Sequence, residues 1–202
     1  MATTNAGKVR EIVAILTEVP ELSDIELLTL AEAGVPDFAY EETGATFAEN
    51  AVGKAIAAAT ATGLPAIADD SGLCVDALGG APGVHSARWA GEDATDDDRN
   101  AKLLEALEGV PESRRTARFV CAMAVALPSG KYRIAEGTCQ GRISVSLKGA
   151  SGFGYDPVFV VPALGRTLAE LDANAKNAVS HRRAALMAVS EPTRLLLAEL
   201  QV

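Results

Sequence analysis

Between residues 116 and 147 the chain reads as three consecutive β-strands joined by very short turns. The first strand covers 116–127, a Pro-Ser-Gly turn follows at 128–130, and two more strands cover 131–138 and 141–147. Connections this short leave no room for a crossover helix, so consecutive strands must pair antiparallel. The middle of the chain is therefore predicted to form an antiparallel sheet.

Two helices are predicted before this region. Apolar residues at helical spacing over 6–17 follow the pair Thr4-Asn5, whose side chains are good N-caps. The second helix covers 46–63, where Glu49 stands three residues after the capping threonine in the pattern of a capping box.

Helices and strands alternate along the rest of the chain. A short apolar strand covers 65–68, a helix begins near Thr95, a strand covers 157–161, and two helices lie near 175–189 and 191–200. This order predicts a mixed α/β fold in which helices flank a twisted sheet.

The composition is that of one folded domain over 1–202. Hydrophobic residues make up 49% of the chain and charged residues 22%, and no linker, repeat or low-complexity tract interrupts it. No apolar run approaches eighteen residues, so no membrane-spanning helix is expected, and no signal segment is recognised at the start.

The net charge limits which partners the protein can bind, and the cysteine pattern indicates the cellular compartment. With 27 acidic and 18 basic residues the formal net charge is −9, and a chain this acidic without a basic stripe repels nucleic-acid polymers. A phosphate substrate must then be small and accompanied by a metal. Cys74, Cys121 and Cys139 form no C-x-x-C pair, which is typical of reduced thiols in a cytoplasmic protein.

The sharpest local signal is the run Asp69-Asp70-Ser71-Gly72, directly after the short strand. Ligands of open α/β sheets bind beyond the carboxyl ends of strands, and neighbouring side chains of an extended chain point to opposite sides. One carboxylate can then bind Mg²⁺, which takes one or two carboxylates together with substrate phosphates. An acidic turn capped by Gly72 is the alternative interpretation.

Two other segments fit a metal and phosphate site. One acid of Glu41-Glu42 can complete a metal site with Asp70, although acids near a helix start also compensate the helix dipole. The segment 4–8 sets polar groups and Lys8 at a helix N-terminus, where backbone N–H groups attract anions. Its spacing is not that of a P-loop.

The segment 152–156, Gly-Phe-Gly-Tyr-Asp, sets two aromatic side chains and a carboxylate on a glycine-punctuated loop. Aromatic faces stack on bases, and a carboxylate or backbone group can read a base edge. A turn with two buried rings explains the same pattern equally well.

The two histidines, His85 and His181, do not suggest other chemistry. They lack the H-x-x-x-H spacing of a zinc site, and no G-x-S-x-G elbow presents a nucleophilic serine to either.

Six motifs occur in order along the chain. They are Thr-Asn-x-Gly-Lys (4–8), Glu-Thr-Gly-x-Thr-Phe-x-Glu-Asn-Ala-x-x-Lys-Ala (42–55), Pro-Ala-Ile-Ala-Asp-Asp-Ser-Gly-Leu (65–73), Leu-Gly-Gly-Ala-Pro-Gly-Val-x-Ser-Ala-Arg-Trp (78–89), Gly-Phe-Gly-Tyr-Asp-Pro-Val-Phe (152–159) and Lys-x-Ala-Val-Ser-His-Arg (176–182). In this combination the chain resembles the inosine triphosphate pyrophosphatase family, also called the non-standard purine or dITP/XTP pyrophosphatases.

The resemblance implies a fold and a reaction. Members of the family are cytoplasmic homodimers with an elongated, two-lobed mixed α/β domain and a central nucleotide cleft. They use Mg²⁺ to hydrolyse ITP, dITP and XTP to the monophosphate and pyrophosphate, which removes deaminated purines from the nucleotide pool.

The resemblance also implies site residues. Asp70 takes the place of the catalytic carboxylate and metal ligand, and Glu41 that of the second metal-binding acid, with Glu42 the neighbouring candidate. The implied substrate contacts are Thr3, Thr4, Asn5, Lys8, Lys54, Ser71, Phe153, Gly154, Tyr155, Asp156, Lys176, His181 and Arg182.

The departures from the family pattern are small. Only Met1-Ala2 precede the first loop, so its supporting strand is either a stub or begins before this numbering. Arg183 stands where glycine is usual, and Asn174-Ala175 stand where acidic residues are common. Two rival functions stay open: a pyrophosphatase with another base preference, such as one for modified pyrimidine nucleotides, and a nucleotide-binding module without catalysis.

Overall fold

The computed structural model of the chain describes residues 1–3, 5–22 and 24–200, and in these it has a five-stranded sheet with helices, which confirms the predicted mixed α/β class. The strands, in the order β1-β2-β3-β4-β5 across the sheet, are β1 (Ala66–Val75), β2 (Thr116–Ala126), β3 (Tyr132–Ile143), β4 (Phe159–Val161) and β5 (Arg166–Thr167). The α-helices are α1 (Ala6–Leu16), α2 (Phe47–Thr62), α3 (Asp96–Ala106), α4 (Ala173–Val179) and α5 (His181–Ala198).

The sheet is antiparallel where its register is resolved. Strand β3 pairs antiparallel with β4, with Ile143 opposite Phe159, and β4 pairs antiparallel with β5. The predicted turn after β2 is present, and in it the Leu127 N–H donates to Lys131 O.

The prediction of two strands over 131–138 and 141–147 is wrong, because β3 is one continuous strand. Its glycines create room for neighbours instead of making turns. A Cβ atom on Gly137 would lie 2.2 Å from the Ala185 backbone nitrogen in α5, and one on Gly141 would lie 2.3 Å from the Phe159 ring.

The prediction that a strand ends before Asp69 is also wrong. Strand β1 continues through the acidic run to Val75, because buried residues such as Leu73 extend the strand past the turn-forming sequence. The two aspartates therefore lie within a strand and not beyond its end.

The first three helices begin where the sequence predicts, and the predicted caps of the first two are present. The Asn5 side chain caps α1, Thr46 caps α2, and Thr95 caps α3 in a full capping box with Asp98. In α2 the capping box is incomplete, because the Glu49 carboxylate accepts from the Ala45 N–H.

The boundary between the last two helices was misplaced by ten residues. Ser180 has an extended backbone (φ −74°, ψ 146°) and separates α4 from α5, whereas Pro192 lies inside α5. Local sequence favours a break at proline, whereas α5 continues through Pro192 and packs against α1.

The chain forms two compact units. Unit 1 contains residues 1–70, 121–137 and those from 181 on, and unit 2 contains 71–120 and 138–180. Single-domain organisation over 1–202, an elongated two-lobed shape and a central cleft stay predictions.

Each unit has apolar clusters of its own. In unit 1 small side chains such as Ala55 and Ala124 form one cluster, and larger ones such as Ile12 and Leu186 form another. In unit 2 the core surrounds Phe159. Within residues 1–3, 5–22 and 24–200, no helix combines the length and apolar character required to cross a membrane.

Candidate active site

The acidic pair of β1 belongs to unit 1 and is buried. Asp69 is 1% exposed and Asp70 is 5% exposed. Because successive side chains of a strand point to opposite faces, the two carboxylates have different neighbours and different chemistry.

Asp69 is surrounded by cations. The Lys8 ammonium lies 3.0 Å from its Oδ2 and the Arg182 guanidinium 3.5 Å, while Lys54 Nζ donates to the Asp69 backbone oxygen. Burial alone would raise the pKa of Asp69, but the charges of Lys8 and Arg182 outweigh it and hold that pKa far below its ordinary value. Asp69 is therefore a permanently charged anchor for the cations around it.

Arg182 is buried between two acids. Its Nη1 donates to Glu11 Oε2 over 2.7 Å, and its Nε faces Asp69. Burial would lower the pKa of Arg182, but the two acids raise it, so the guanidinium stays charged. The sequence analysis assigned this residue to the nucleotide, whereas its contacts in unit 1 join α5 to α1 and β1.

Asp70 differs from Asp69 in its hydrogen-bond partner and in the direction of its pKa shift. Its Oδ2 accepts a hydrogen bond of 2.9 Å from Asn50 Nδ2, and Asn50 Oδ1 accepts in turn from the Gly44 N–H. Burial raises the pKa of Asp70, and the nearby charge of Glu42 adds to the rise. A buried carboxylate beside a second acid has the electrostatics of a cation site or of a general base.

Of the two adjacent acids, Glu42 is the one whose charge adds to the raised pKa of Asp70. Glu42 is half-buried and forms an ion pair with Lys54, while Glu41 is exposed. The geometry therefore favours Glu42 as the second acid.

These residues fit a magnesium ion better than a protein-only metal cage. No cluster of three or more His, Cys, Asp or Glu side chains able to hold a metal occurs in the part of the chain that the structure describes. Mg²⁺ commonly binds one or two carboxylates and takes its other ligands from phosphates and water, which the pair Glu42 and Asp70 can accommodate.

The predicted phosphate loop caps a helix in this structure. Asn5 Oδ1 accepts from the Gly7 and Lys8 N–H groups at 2.9 and 3.1 Å, and Thr3 Oγ1 accepts from the Asn5 N–H. Two of the first-turn N–H groups expected to bind phosphate are thus already satisfied. Thr4 lies outside the described residues.

The second group of predicted residues lies in unit 2, in the loop of residues 152–156, here called the glycine loop. Its buried Asp156 accepts from Lys176 Nζ over 2.5 Å and from the Phe153 N–H over 2.9 Å. Lys176 Nζ also lies 4.5 Å from the Phe153 ring centroid. A Cβ on Gly152 would lie 2.1 Å from the Asp156 carboxylate, so glycine is required there.

The two aromatic residues of the glycine loop differ in accessibility. Tyr155 is 4% exposed, its hydroxyl donates to Ser86 O, and burial raises its pKa strongly. Phe153 is half-buried and is therefore the ring of this loop that a base can reach. Gly154 is bound through its backbone to Asp96 and Asn100 of α3.

The remaining predicted residues are His181 and Ser71. His181 is the first residue of α5 and is 4% exposed, and Ser71 follows Asp70 in β1 and is half-buried. The structure thus gathers Lys8, Lys54, Asp70 and Arg182 within unit 1. It gathers Phe153, Gly154, Tyr155, Asp156 and Lys176 within unit 2.

Several functional neighbours escaped the sequence analysis. They are Glu11, Asn50, Asp96 and Asn100, each a polar residue that is largely buried or that binds a site residue. Asn50 had a usable signal, because it lies four residues before Lys54 on the same face of an alanine-rich helix. Arg182, which binds Glu11, and Gly154, which binds Asp96, are too far away in sequence to be paired with these acids by pattern.

The chain is similar to known proteins over nearly its whole length. A curated dITP/XTP pyrophosphatase from Geobacillus kaustophilus is 53% identical over 192 residues, which is 95% of this chain and 91% of that protein. One from Shigella flexneri is 48% identical over 196 residues and 96% of each protein.

The fold is also shared with solved structures. The Ham1 protein of Staphylococcus aureus has a TM-score of 0.83 at 40% identity, covering 98% of this chain and 97% of that one. A HAM1 protein from Coxiella burnetii gives 0.81 at 44% identity over 98% and 96% of the two chains. A sequence profile of the Ham1 family matches residues 1–191. The chain therefore belongs to the Ham1 family.

Proposed function

We propose that this chain hydrolyses non-standard purine nucleoside triphosphates, namely ITP, dITP and XTP, to the monophosphate and pyrophosphate. The observation that carries the proposal is the buried Asp70, held by Asn50 and facing the charge of Glu42, with Lys8 and Lys54 in the same cluster. The dITP/XTP pyrophosphatases at about half identity support the substrate class.

In the proposed reaction a water oxygen attacks the α-phosphorus. The bond from that phosphorus to the oxygen bridging the α- and β-phosphates breaks, and pyrophosphate leaves with the bonding electrons. Asp70 accepts the proton of the attacking water. The Asn50 amide fixes the orientation of the Asp70 carboxylate, which is a large part of what a general base requires.

We propose magnesium as the cofactor, held by Asp70 and Glu42. When bound, it neutralises charge on the triphosphate and on the leaving pyrophosphate. Lys8 and Lys54 add two ammonium groups, each next to an acid of the cluster, and their charge favours the same oxygens.

Base recognition is assigned to the glycine loop. The accessible Phe153 ring offers a stacking surface, and the Asp156–Lys176 pair fixes the loop that carries it. A hydrogen bond to the 6-oxo group of hypoxanthine or xanthine would disfavour adenine by about 1–3 kcal/mol, because the adenine amino group leaves the donor unpaired.

The direct test is pyrophosphate release from ITP, dITP, XTP, GTP, ATP and dUTP, each with Mg²⁺ and with excess chelator. We expect release from the first three to exceed release from the others and to stop with chelator. Preferential release from dUTP would instead favour the pyrimidine rival. Absence of release, with nucleotide still bound, would favour the binding module.

Asp70→Asn tests the assigned residue. The amide cannot accept the proton, so we expect ITP hydrolysis to fall by at least about 100-fold while the melting temperature changes little. Asp37→Asn is the matched control, since it removes an exposed carboxylate of the same unit. Full activity of purified Asp70→Asn would refute the role.

We also propose a cytoplasmic homodimer, as the resemblance implies. Light scattering of the purified chain across a concentration series, with a dimer mass expected, checks the assembly, and a single-chain mass at all concentrations would contradict it.

A further inference from the structure

Both backbone polar groups of Gly154, the central residue of the glycine loop, are bound by side chains of α3. The Gly154 N–H donates to Asp96 Oδ2 over 2.7 Å, and Asn100 Nδ2 donates to Gly154 O over 2.8 Å. Asp96 and Asn100 are four residues apart, so they lie one turn from each other on the same face of α3. One glycine is thus held from both sides by a single helix.

The two side chains of α3 are themselves fixed. Arg99 pairs with the other carboxylate oxygen of Asp96 and donates to Ala87 O and Ala94 O. Asn100 is 1% exposed, and its Nδ2 also donates to Asp96 O. Neither side chain can therefore follow the loop if the loop moves.

We propose that Asp96 and Asn100 are positioning residues for base selection, which act by holding Gly154 and through it the Phe153 ring. The inference rests on the proposed function for its choice of substrates. It adds two residues on α3 that none of the six motifs supplied.

The effect on Phe153 follows from the short distance along the chain. Gly154 has φ +62° and directly follows Phe153, so its two hydrogen bonds set where the neighbouring ring lies. The Phe153 N–H is held by Asp156, which acts on the other side of the ring residue. Loss of the α3 contacts would remove the hydrogen bonds that hold the residue next to the ring, while the contacts of Phe153 with Asp156 and Lys176 would stay.

The test uses Asp96→Ala, Asn100→Ala and the volume-retaining Asn100→Leu. Asp97→Ala is the matched control, because Asp97 lies in the same first turn of α3 and is exposed. Asp96→Ala and Asp97→Ala remove equal charge from the same helix N-terminus, so the helix-dipole effect cancels in the comparison.

Hydrogen exchange of the Gly154 amide gives a readout without catalysis. We expect it to become about tenfold faster in Asp96→Ala and to stay unchanged in Asp97→Ala, because the Gly154 amide donates to Asp96 and not to Asp97. Equal exchange rates in wild type and Asp96→Ala would overturn the positioning role.

Kinetics give the specificity readout. In Asp96→Ala and Asn100→Ala we expect KM for ITP to rise about three- to tenfold, while kcat changes less than about twofold. The preference of these variants for ITP over GTP, measured as the ratio of the two kcat/KM values, should fall by a similar factor of about three to ten. The variant that combines Asp96→Ala with Asn100→Ala should lose less of this preference than the product of the two single losses, since both residues act on Gly154.

A purely structural role would lower the fraction of active enzyme and reduce kcat equally for every triphosphate, with the preference unchanged, and that result would overturn the inference. Failure of the proposed function is a different outcome: wild type would then release no pyrophosphate from any triphosphate, while the exchange measurement would still decide whether α3 holds the loop.

Discussion

At the scale of single residues, the two adjacent aspartates of β1 differ because of what each one touches. Asp69 lies among Lys8, Arg182 and the Lys54 ammonium and is an anchor, whereas Asp70 contacts an amide and lies near Glu42. Identical side chains therefore have opposite pKa shifts. The difference supports Asp70 as the reactive carboxylate and Asp69 as its support.

Arg182→Ala tests the anchor. It leaves Glu11 and Asp69 buried without their guanidinium, so we expect the free energy of unfolding, measured in urea at pH 7, to fall by about 3–5 kcal/mol. The matched control is Arg183→Ala, whose exposed ion pair with Glu18 is expected to contribute less than about 1 kcal/mol. Equal effects would contradict the assignment.

The pH dependence of stability in wild type and Arg182→Ala gives a second test of the anchor. The folded protein holds the pKa of Asp69 below its ordinary value of 3.8, so the stabilisation is fully present above that pH and is lost as pH falls toward the folded pKa. The stability difference between wild type and Arg182→Ala should therefore shrink below about pH 4. A difference that grows on acidification would show that Arg182 stabilises the fold by another route.

The activity of Arg182→Ala separates two interpretations of that residue. The sequence analysis made Arg182 a nucleotide contact, so its loss should mainly damage discrimination between ITP and GTP. The buried contacts with Glu11 and Asp69 instead lead us to expect equal losses on both substrates.

At the scale of elements, glycines in β3 determine how closely it approaches its neighbours. Gly137→Ala would place a methyl group 2.2 Å from the Ala185 nitrogen and 2.3 Å from the His181 oxygen of α5. Because these are backbone atoms that cannot rotate away, we expect a loss of about 1–3 kcal/mol in the free energy of unfolding.

Glu136→Ala is the control for that variant, since it adds no atoms and lies at an exposed position of the same strand. If Gly137→Ala unfolds at the same urea concentration as Glu136→Ala, then β3 and α5 can move apart without loss of stability. The close approach of β3 to α5 would then contribute nothing measurable to the free energy of unfolding.

The parts of the fold that sequence could predict are those set by near neighbours. The caps Asn5 and Thr46 and the helix start near Thr95 were predicted because each of these side chains bonds to an amide two or three residues further on. The continuation of β1 through its acidic run and the helical Pro192 were not, because burial and helix packing outweighed strong local signals.

Sequence also predicts the candidate site only in part, because some of its contacts join residues that are far apart along the chain. The family motifs supplied Asp70, Lys54 and the glycine loop, but no local pattern pairs Arg182 with Glu11, which is 171 residues away. The choice of Glu42 over Glu41 also required coordinates, since adjacent acids are equivalent in a motif and differ only in where their side chains lie.

At the scale of the whole molecule, the two units have separate cores. Each core contains at least one of the three cysteines, so thiol reactivity probes both cores. Cys121 packs in the aliphatic cluster of unit 1, and Cys139 packs in the core of unit 2. Cys74 lies in β1 within unit 2 and is also buried. Each thiol reacts only as the thiolate, so its reactivity measures whether the core around it is closed.

We expect native protein at pH 8 to leave all three thiols unlabelled by iodoacetamide over minutes, and unfolded protein to label all three. Burial raises the pKa of all three thiols, that of Cys139 to about 11, so only about one Cys139 in a thousand would be ionised at pH 8 even with full access.

An exposed thiol calibrates the measurement. Ser129→Cys adds one at the exposed turn after β2, and mass spectrometry should find that position labelled first and nearly alone. Because Cys121 belongs to unit 1 and the other two natural thiols to unit 2, peptide-resolved labelling in low urea tells which core opens first. If any natural cysteine reacted as fast as the added one in native buffer, the core around it would be open to solvent, and the buried charges and glycine contacts described for that unit would lose their basis.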